Sequence, residues 1–230
     1  MRDNVHPGEK WEFNGEVAAC FANMLERSIP DYRSMRALTY KLGERFIQPE
    51  TLIVDVGCST GLAVEPFVVK YGQSNNFLLV DNAPAMVEAC EKRFQADVNV
   101  TVRQGNIWEY LPFEQKSSLV LSVLSMQFMP TSYRPWMLKQ IYDGLTDGGA
   151  LIFVEKILSE NMDDLMVDLY YEMKRENGYT DEQIMSKQAQ PGKRAVSAQG
   201  RVERGHDADR RFSASRYVLA LPEFLWLDSR

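Results

Sequence analysis

The sequence predicts an α/β fold, a doubly wound and mostly parallel sheet with helices ahead of it and a helical insertion after the fifth strand. Three observations predict it. Short β-branched runs alternate with segments of helical period, the pattern of strand–helix–strand units with parallel strands. A glycine-containing octapeptide, Val54-Asp-Val-Gly-Cys-Ser-Thr-Gly, closes the first such run and leads into a helix. The chain has 230 residues, 45% of them hydrophobic, which suits one core of that architecture.

Glu16 to Ile29 places Val17, Phe21, Met24, Leu25 and Ser28 on one helical face. Asp31 reads as the N-cap of a second helix with Met35, Leu38, Leu42 and Phe46 spaced by three and four, ended by Pro49. Leu52 to Val56 is a buried strand closed by Gly57 and Gly61. Beyond it, helices are predicted over Leu62–Tyr71, Pro84–Phe94 and Ser132–Leu145, the last stopped by Asp147-Gly-Gly. Strands are predicted over Phe77–Val80, Val98–Arg103, Leu119–Val123 and Ala150–Val154. Two further helices, Asn161–Arg175 and Asp181 to about Gln188, flank Gly178-Tyr-Thr, with Thr180 as a cap. Residues 1–188 therefore read as one domain. From 189 to 230 the chain reads as an atypical tail, poorly ordered over 189–212 and apolar again only at Tyr217–Trp226.

Composition narrows the function classes. Eight of the 26 basic and five of the 32 acidic residues follow position 188, so the body carries −9 and the tail +3. A body of that sign does not bind a phosphate backbone in general, and no direct nucleic-acid binding is expected. No apolar run approaches the roughly 18 residues that cross a bilayer. Met1-Arg-Asp-Asn-Val-His has no signal-like apolar core. Three cysteines without CxxC spacing predict neither disulfides nor a zinc knuckle, and point to a reducing, cytoplasmic setting. His6 and His206 are the only histidines, so no metal site is expected.

The chemistry is expected at the strand ends. In the octapeptide the glycine spacing is G-x-x-x-G, and no lysine follows, which argues against nucleoside triphosphates. Glycines there let the backbone approach a ligand at the carboxyl edge of the sheet; the blander reading is a tight turn with no ligand. Asp81 ends the next strand, where a carboxylate accepts from a ribose diol or, more simply, faces a helix dipole ahead of Pro84. Gly105-Asn106-Ile107 follows the third strand, placing an amide and an apolar face for an adenine, or making an Asn turn.

From about residue 50 to 155 these features are similar to the class I methyltransferase pattern, with Asp143-Gly-Leu-Thr-Asp-Gly-Gly-Ala-Leu resembling that family's turn into the fifth strand. The resemblance implies a Rossmann-like domain binding S-adenosyl-L-methionine. Gly57, Cys58 and Ser59 would line the methionine part, Asp81 would bind the ribose, and Asn82, Asn106 and Ile107 would frame the adenine, with Asp55 and Gly61 also among the residues expected to hold the cofactor. Val17-Ala-Ala-Cys-Phe-Ala-Asn-Met-Leu-Glu-Arg-Ser-Ile-Pro-Asp-Tyr, Val80-Asp-Asn-Ala-Pro-Ala-Met, Met126-Gln-Phe, Glu155-Lys and Met173-Lys-Arg-Glu-Asn-Gly-Tyr resemble more specifically the carboxy-S-adenosylmethionine synthase family. That family, as the resemblance implies, converts S-adenosylmethionine and prephenate into the carboxylated sulfonium used in tRNA wobble-uridine modification. Carried over, Tyr32 reaches the cofactor from the N-terminal helices.

Three positions depart from the family pattern. Its cofactor-contacting Asp is Asn106, its Asn after the fourth strand is Val123, and the Arg that pairs with the added carboxylate is Gln188. An amide lacks the charge-assisted fork of an arginine. The expectation is an S-adenosylmethionine-dependent transferase acting on a small-molecule acceptor, with catalytic residues unassigned. Its pocket is expected between the N-terminal helices and residues 123–188, with Tyr32 and Tyr179 as walls. A genuine carboxy-S-adenosylmethionine synthase using prephenate (the ligand then being carboxy-S-adenosyl-L-methionine), and a catalytically impaired binding protein, stay open beside it. The resemblance also admits a homodimer. Cys58 reads as packing rather than a nucleophile, Met126-Gln-Phe-Met as a packed strand end, and Lys174-Arg175 as a solvated helix face rather than an anion site.

Overall fold

A computed structural model describes residues 12–107, 115–155, 163–188 and 217–222. Its strands are β1 (Leu52–Val56), β2 (Asn76–Asp81), β3 (Val100–Gln104), β4 (Ser117–Val123), β5 (Leu145–Glu155) and β6 (Tyr217–Pro222). They pair in parallel in the order β3-β2-β1-β4-β5-β6. Successive strands step outward from β1 on one side and from β4 on the other. The seam between those two strands is thus the switch point, where doubly wound sheets open a crevice at their carboxyl ends.

Alternation along the strands builds two cores, because neighbouring side chains leave opposite faces. Leu52, Val54 and Val56 join Val120 and Leu151 under Met137 and Ile141 of helix α5 (Arg134–Gly144). Ile53, Leu121 and Ile152 join Phe67 of α3 (Glu65–Tyr71) and Cys90 of α4 (Pro84–Arg93). Helix α1 (Gly15–Ser28) is capped by the Asn14 carboxamide, which accepts from the Val17 N–H at 3.1 Å. It buries Val17, Phe21 and Met24 against Met86 of α4.

Helix α2 (Tyr32–Gly43) differs from the expectation. Its buried line is Tyr32, Thr39 and Gly43, while Leu38 is 46% exposed. The reason is close packing: a Cβ on Gly43 would stand 2.6 Å from the Phe67 ring, so the small residues face inward. Asp31 does not cap through its side chain; its backbone is left-handed (φ 47°), and its carbonyl accepts from Met35 instead. Asp147-Gly-Gly does not stop α5 either. That helix ends at Gly144, and residues 146–149 lie within β5, where the register slips between its pairings Ser117↔Leu145 and Leu119↔Ala150. Met126–Phe128 forms a 3₁₀ turn rather than a strand end.

Helix α6 (Asp163–Glu176) closes with a Schellman turn: Gly178 sits at φ 80°, Tyr179 N–H donates to Lys174 O, and Gly178 N–H to Arg175 O. Helix α7 (Asp181–Gln188) opens with a reciprocal box, Gln183 N–H to Thr180 Oγ1 and Thr180 N–H to Gln183 Oε1. Thr180 is thus the cap that the sequence indicates. The expectation for 189–212 lies outside the described residues. Within the segment read as a tail, however, Tyr217–Pro222 pairs with β5 and extends the sheet, satisfying an edge that would otherwise stay open.

Gly61 (φ 80°) tests this packing. A Cβ there would stand 2.4 Å from the Phe94 ring. Gly61→Ala is expected to cost about 2 kcal/mol or more in urea unfolding, from the left-handed backbone and the clash together. Adding Phe94→Leu should recover part of the clash, giving a non-additive double-mutant cycle.

Candidate functional site

The turn after β1 is fixed by β2 on one side and by the loop after β4 on the other. Gly57 and Cys58 N–H both donate to the Val80 carbonyl of β2, at 2.8 and 3.0 Å. Gly57 has φ 80°, and a Cβ there would lie 2.2 Å from Ser125 Cβ. Ser125 Oγ donates to the Val56 carbonyl at 2.6 Å and bonds Ser122 Oγ at 2.8 Å, so the loop after β4 docks on the end of β1. Ser59, also left-handed at φ 48°, donates its N–H to Asp81 Oδ2 at 2.8 Å. The other oxygen, Asp81 Oδ1, accepts from Ala83 N–H at 2.9 Å. Gly105 N–H donates to the Asp81 carbonyl, and Asn82 Nδ2 to Asn106 Oδ1 at 3.0 Å. Ser59, Asp81, Asn82 and Asn106 thus meet along one edge of the sheet.

At the switch point lies a cavity of about 400 Å³. Tyr32, Gly57, Cys58, Ser59 and Val123 line it, as the sequence proposes. Asp55, Gly61, Asp81, Asn82, Asn106 and Ile107 do not line it. Gly61 is explained by Phe94, not by an approaching ligand. Ile107 packs into the core beside Met126. Asp55 sits on the face of β1 that carries Ile53, fully buried beneath the turn. Tyr179 is not a wall but stands behind one: it is buried, and its hydroxyl bonds Ser28 Oγ at 2.8 Å. That contact is one of several joining α1 to the end of α6. Arg27 Nε donates to the Asn177 carbonyl at 2.8 Å, Asn177 Nδ2 donates back to the Arg27 carbonyl, and the Arg27 guanidinium lies 4.1 Å from the Tyr179 ring.

Buried charge is the site's distinctive feature. Both carboxylate oxygens of Asp55 are buried without a hydrogen-bond partner. Desolvation, with the neighbouring Asp81 charge behind it, pushes its pKa from the usual 3.8 up to about 7. Burial raises Asp81 as well, against the lowering by the Ala83, Ser59 and Asn82 N–H groups. Burial raises the Tyr32 phenol. Cys58 Sγ lies 4.0 Å from Cys90 Sγ, and that contact together with burial holds the Cys58 thiol well above its ordinary value. A protonated, enclosed thiol is no nucleophile, in keeping with a packing role.

Sequence reasoning missed several groups here. Ser125 carries no signal in a single sequence, since its role appears only when β4 lies beside β1. Phe13, Gln127, Phe128, Tyr170 and Tyr171 also line the cavity. Lys174 corrects the solvated-face expectation: it is 5% exposed and lines the cavity, whereas its neighbour Arg175 is exposed and paired with Asp181 at 2.7 Å. The signal was present in the spacing, because Tyr170 and Lys174 are four apart and share a helix face. Among the described residues no group of His, Cys, Asp and Glu could hold a metal ion, and no helix is long and apolar enough to cross a membrane.

A family model described as a methyltransferase domain matches residues 53–149, the span from β1 into β5. The chain is 35% identical over 185 residues to carboxy-S-adenosyl-L-methionine synthases of Yersinia pestis (strain Pestoides F) and Yersinia pseudotuberculosis serotype O:3 (strain YPIII). Each match covers 78% of this chain and 68% of the relative. Among solved structures, Streptomyces venezuelae DesVI aligns with a TM-score of 0.51 at 19% identity, over 66% of this chain and 61% of that one, a likeness of fold.

Asp55 gives the site a pH signature. Its folded pKa lies above its unfolded one, so protonation favours the fold: the cost of ionising it is absent below pH 4, grows through pH 4–7 and is complete above. With the carboxyl moved to about 7, that cost is on the order of 4 kcal/mol. Asp55→Asn in the ligand-free protein is expected to gain stability relative to the unaltered chain as pH rises from 4 to 8. Urea midpoints that differ by the same amount at every pH would contradict the assignment.

Proposed function

The chain belongs to the carboxy-S-adenosyl-L-methionine synthase family and is an S-adenosylmethionine-dependent transferase of the class I methyltransferase fold, and from that premise we propose how this site holds its cofactor and what it acts on. The adenosyl part lies along the carboxyl edge of β1, β2 and β3. Asp81 accepts from the ribose hydroxyls with the lone pairs that Ser59 and Ala83 leave available, since each carboxylate oxygen accepts more than one bond. Asn82 and Asn106 address the adenine edge. Gly57, Cys58 and Ser59 receive the methionine portion, with Tyr32 opposite in the cavity wall.

The observation that supports this reading is Asp55. A buried carboxylate with no partner, beside a second carboxylate, calls for positive charge. S-adenosylmethionine carries two such charges, on its ammonium and its sulfonium, and no phosphate. The turn suits it for the same reason that it does not suit a nucleotide phosphate: no lysine follows the glycines and two acids lie behind them.

When bound, the sulfonium supplies a one-carbon group already activated for transfer. The chain's own work is to position an acceptor and keep water away. Phe13, Phe128 and Tyr32 give the cavity an apolar wall for that purpose. The second substrate is a small molecule, and the family resemblance supports prephenate, which would give its carboxylate to the sulfonium's methyl carbon while the methyl proton and the prephenate hydroxyl leave as water, the product serving tRNA wobble-uridine modification. That resemblance is also what supports a cytoplasmic homodimer. Gln188, at the end of α7 where the resemblance places an arginine, favours a second reading in which the protein binds but turns over poorly.

Titration calorimetry with S-adenosylmethionine tests the cofactor assignment. Asp81→Ala should weaken binding by roughly tenfold or more, about 1.4 kcal/mol; unchanged affinity would remove the ribose role. Mass spectrometry of the nucleoside that copurifies, and of the products formed with prephenate, separates the acceptor readings. A species heavier by one carboxylate identifies synthase activity, while S-adenosylmethionine alone, unchanged by prephenate, supports the impaired binder.

A further inference from the structure

Lys174 is the one charged side chain among the described residues that line the cavity. Lysine is seldom buried this far, because removing an ammonium from water costs several kcal/mol. Here the ammonium lies 4.7 Å from the centroid of the Tyr170 ring and 5.4 Å from that of Tyr179. Ring faces attract such a cation by about 0.5 to 2 kcal/mol. The Tyr179 ring is also the one against which Arg27 packs, and Arg27 Nη1 is buried with no hydrogen-bond partner.

Two cations therefore gather around one ring at the α6 side, while the acids Asp55 and Asp81 stand behind the strand ends. Among the described residues the rest of the lining is uncharged and includes six aromatic side chains. Such a space orients a ligand that carries positive charge at one end and an anion at the other, since each charge is attracted to one wall and repelled by the opposite one.

We propose that Lys174 is the anion-recognition residue of this cavity and receives a carboxylate of the bound ligand. The inference rests on the cofactor reading above and extends it to the opposite wall. Two sources bring a carboxylate into the space: the aminoacyl end of the cofactor and the acceptor. In either case the residue positions the ligand by a charge-assisted hydrogen bond, which a lysine makes as a point charge without the planar fork of an arginine. The Tyr170 and Tyr179 rings flank its ammonium, so less rotamer freedom is left to lose on binding.

Calorimetry on the full chain with Lys174→Met and Lys174→Arg tests it with three probes. 5′-Methylthioadenosine has no carboxylate and should bind the unaltered protein and both variants alike. S-adenosylhomocysteine reads the aminoacyl carboxylate, and prephenate added to protein saturated with S-adenosylhomocysteine reads the acceptor's. Lys174→Met should lose roughly 10- to 100-fold in one of these two arms, the arm naming the source, and Lys174→Arg should retain most of it. Unchanged affinity in both arms overturns the inference, as does an equal loss with methylthioadenosine, which would make Lys174 structural. Absence of heat with any adenosyl probe in the unaltered protein would instead overturn the cofactor reading, and this inference with it.

Discussion

The contact between Gly57 and Ser125 fixes where the rest of the site sits. Only a residue without a Cβ can take φ 80° with the Ser125 side chain so near. Ser125 in turn bonds the Val56 carbonyl, the last of β1. The ends of β1 and β4 are thereby locked at a set separation, and the crevice that doubly wound sheets place at their switch point acquires a definite floor. The two N–H groups that follow, both directed at the Val80 carbonyl, bring β2 into the same arrangement. Asp81 then reaches back to Ser59 from the next strand. The carboxyl edge of three strands behaves as one rigid piece, and the recognition groups inherit their positions from it.

Charge within this frame is distributed against stability. Asp55 has neither hydrogen bond nor counter-ion, and Lys174 is buried in an aromatic surround. A fold selected for stability alone would replace both with apolar residues of similar volume. The presence of Asp55 at a strand end beneath the turn makes sense when a bound cation supplies the charge that the carboxylate lacks, so that part of the fold's energy is deferred until binding. Cys58 and Cys90, by contrast, fill the space between the turn and α4, their sulfurs 4.0 Å apart.

Much of this was legible in the chain. The strands and helices through Glu155 follow from periodicity, and the octapeptide points to the sheet edge where Gly57, Cys58 and Ser59 line the cavity. Three kinds of feature were not legible. The buried face of α2 was set by Gly43 meeting Phe67, a contact across sequence that outweighed the helix's own apolar spacing. Residues 146–149 were read as a helix stop because glycine signals a break, but the break falls inside β5. Of the expected site residues, Tyr32, Gly57, Cys58, Ser59 and Val123 line the cavity, while Asp81, Asn82 and Asn106 gather at the adjoining edge and Gly61 and Ile107 serve packing. The α6 wall escaped because a Lys-Arg pair has the same spelling whether it is solvated or enclosed; only the partner that covers it tells the two apart.

The paired bonds between Arg27 and Asn177 join positions 150 residues apart. A contact of that separation carries a large loop-closure entropy and forms only once the intervening chain has drawn its ends together. Pairing of the strands between them shortens the loop left to close, so the entropic cost of joining α1 to α6 over the sheet is lowest once the sheet has formed. Without that joint the Gly57–Ser59 turn lacks its roof, so enclosure of a ligand depends on a bond between two distant stretches of the sequence.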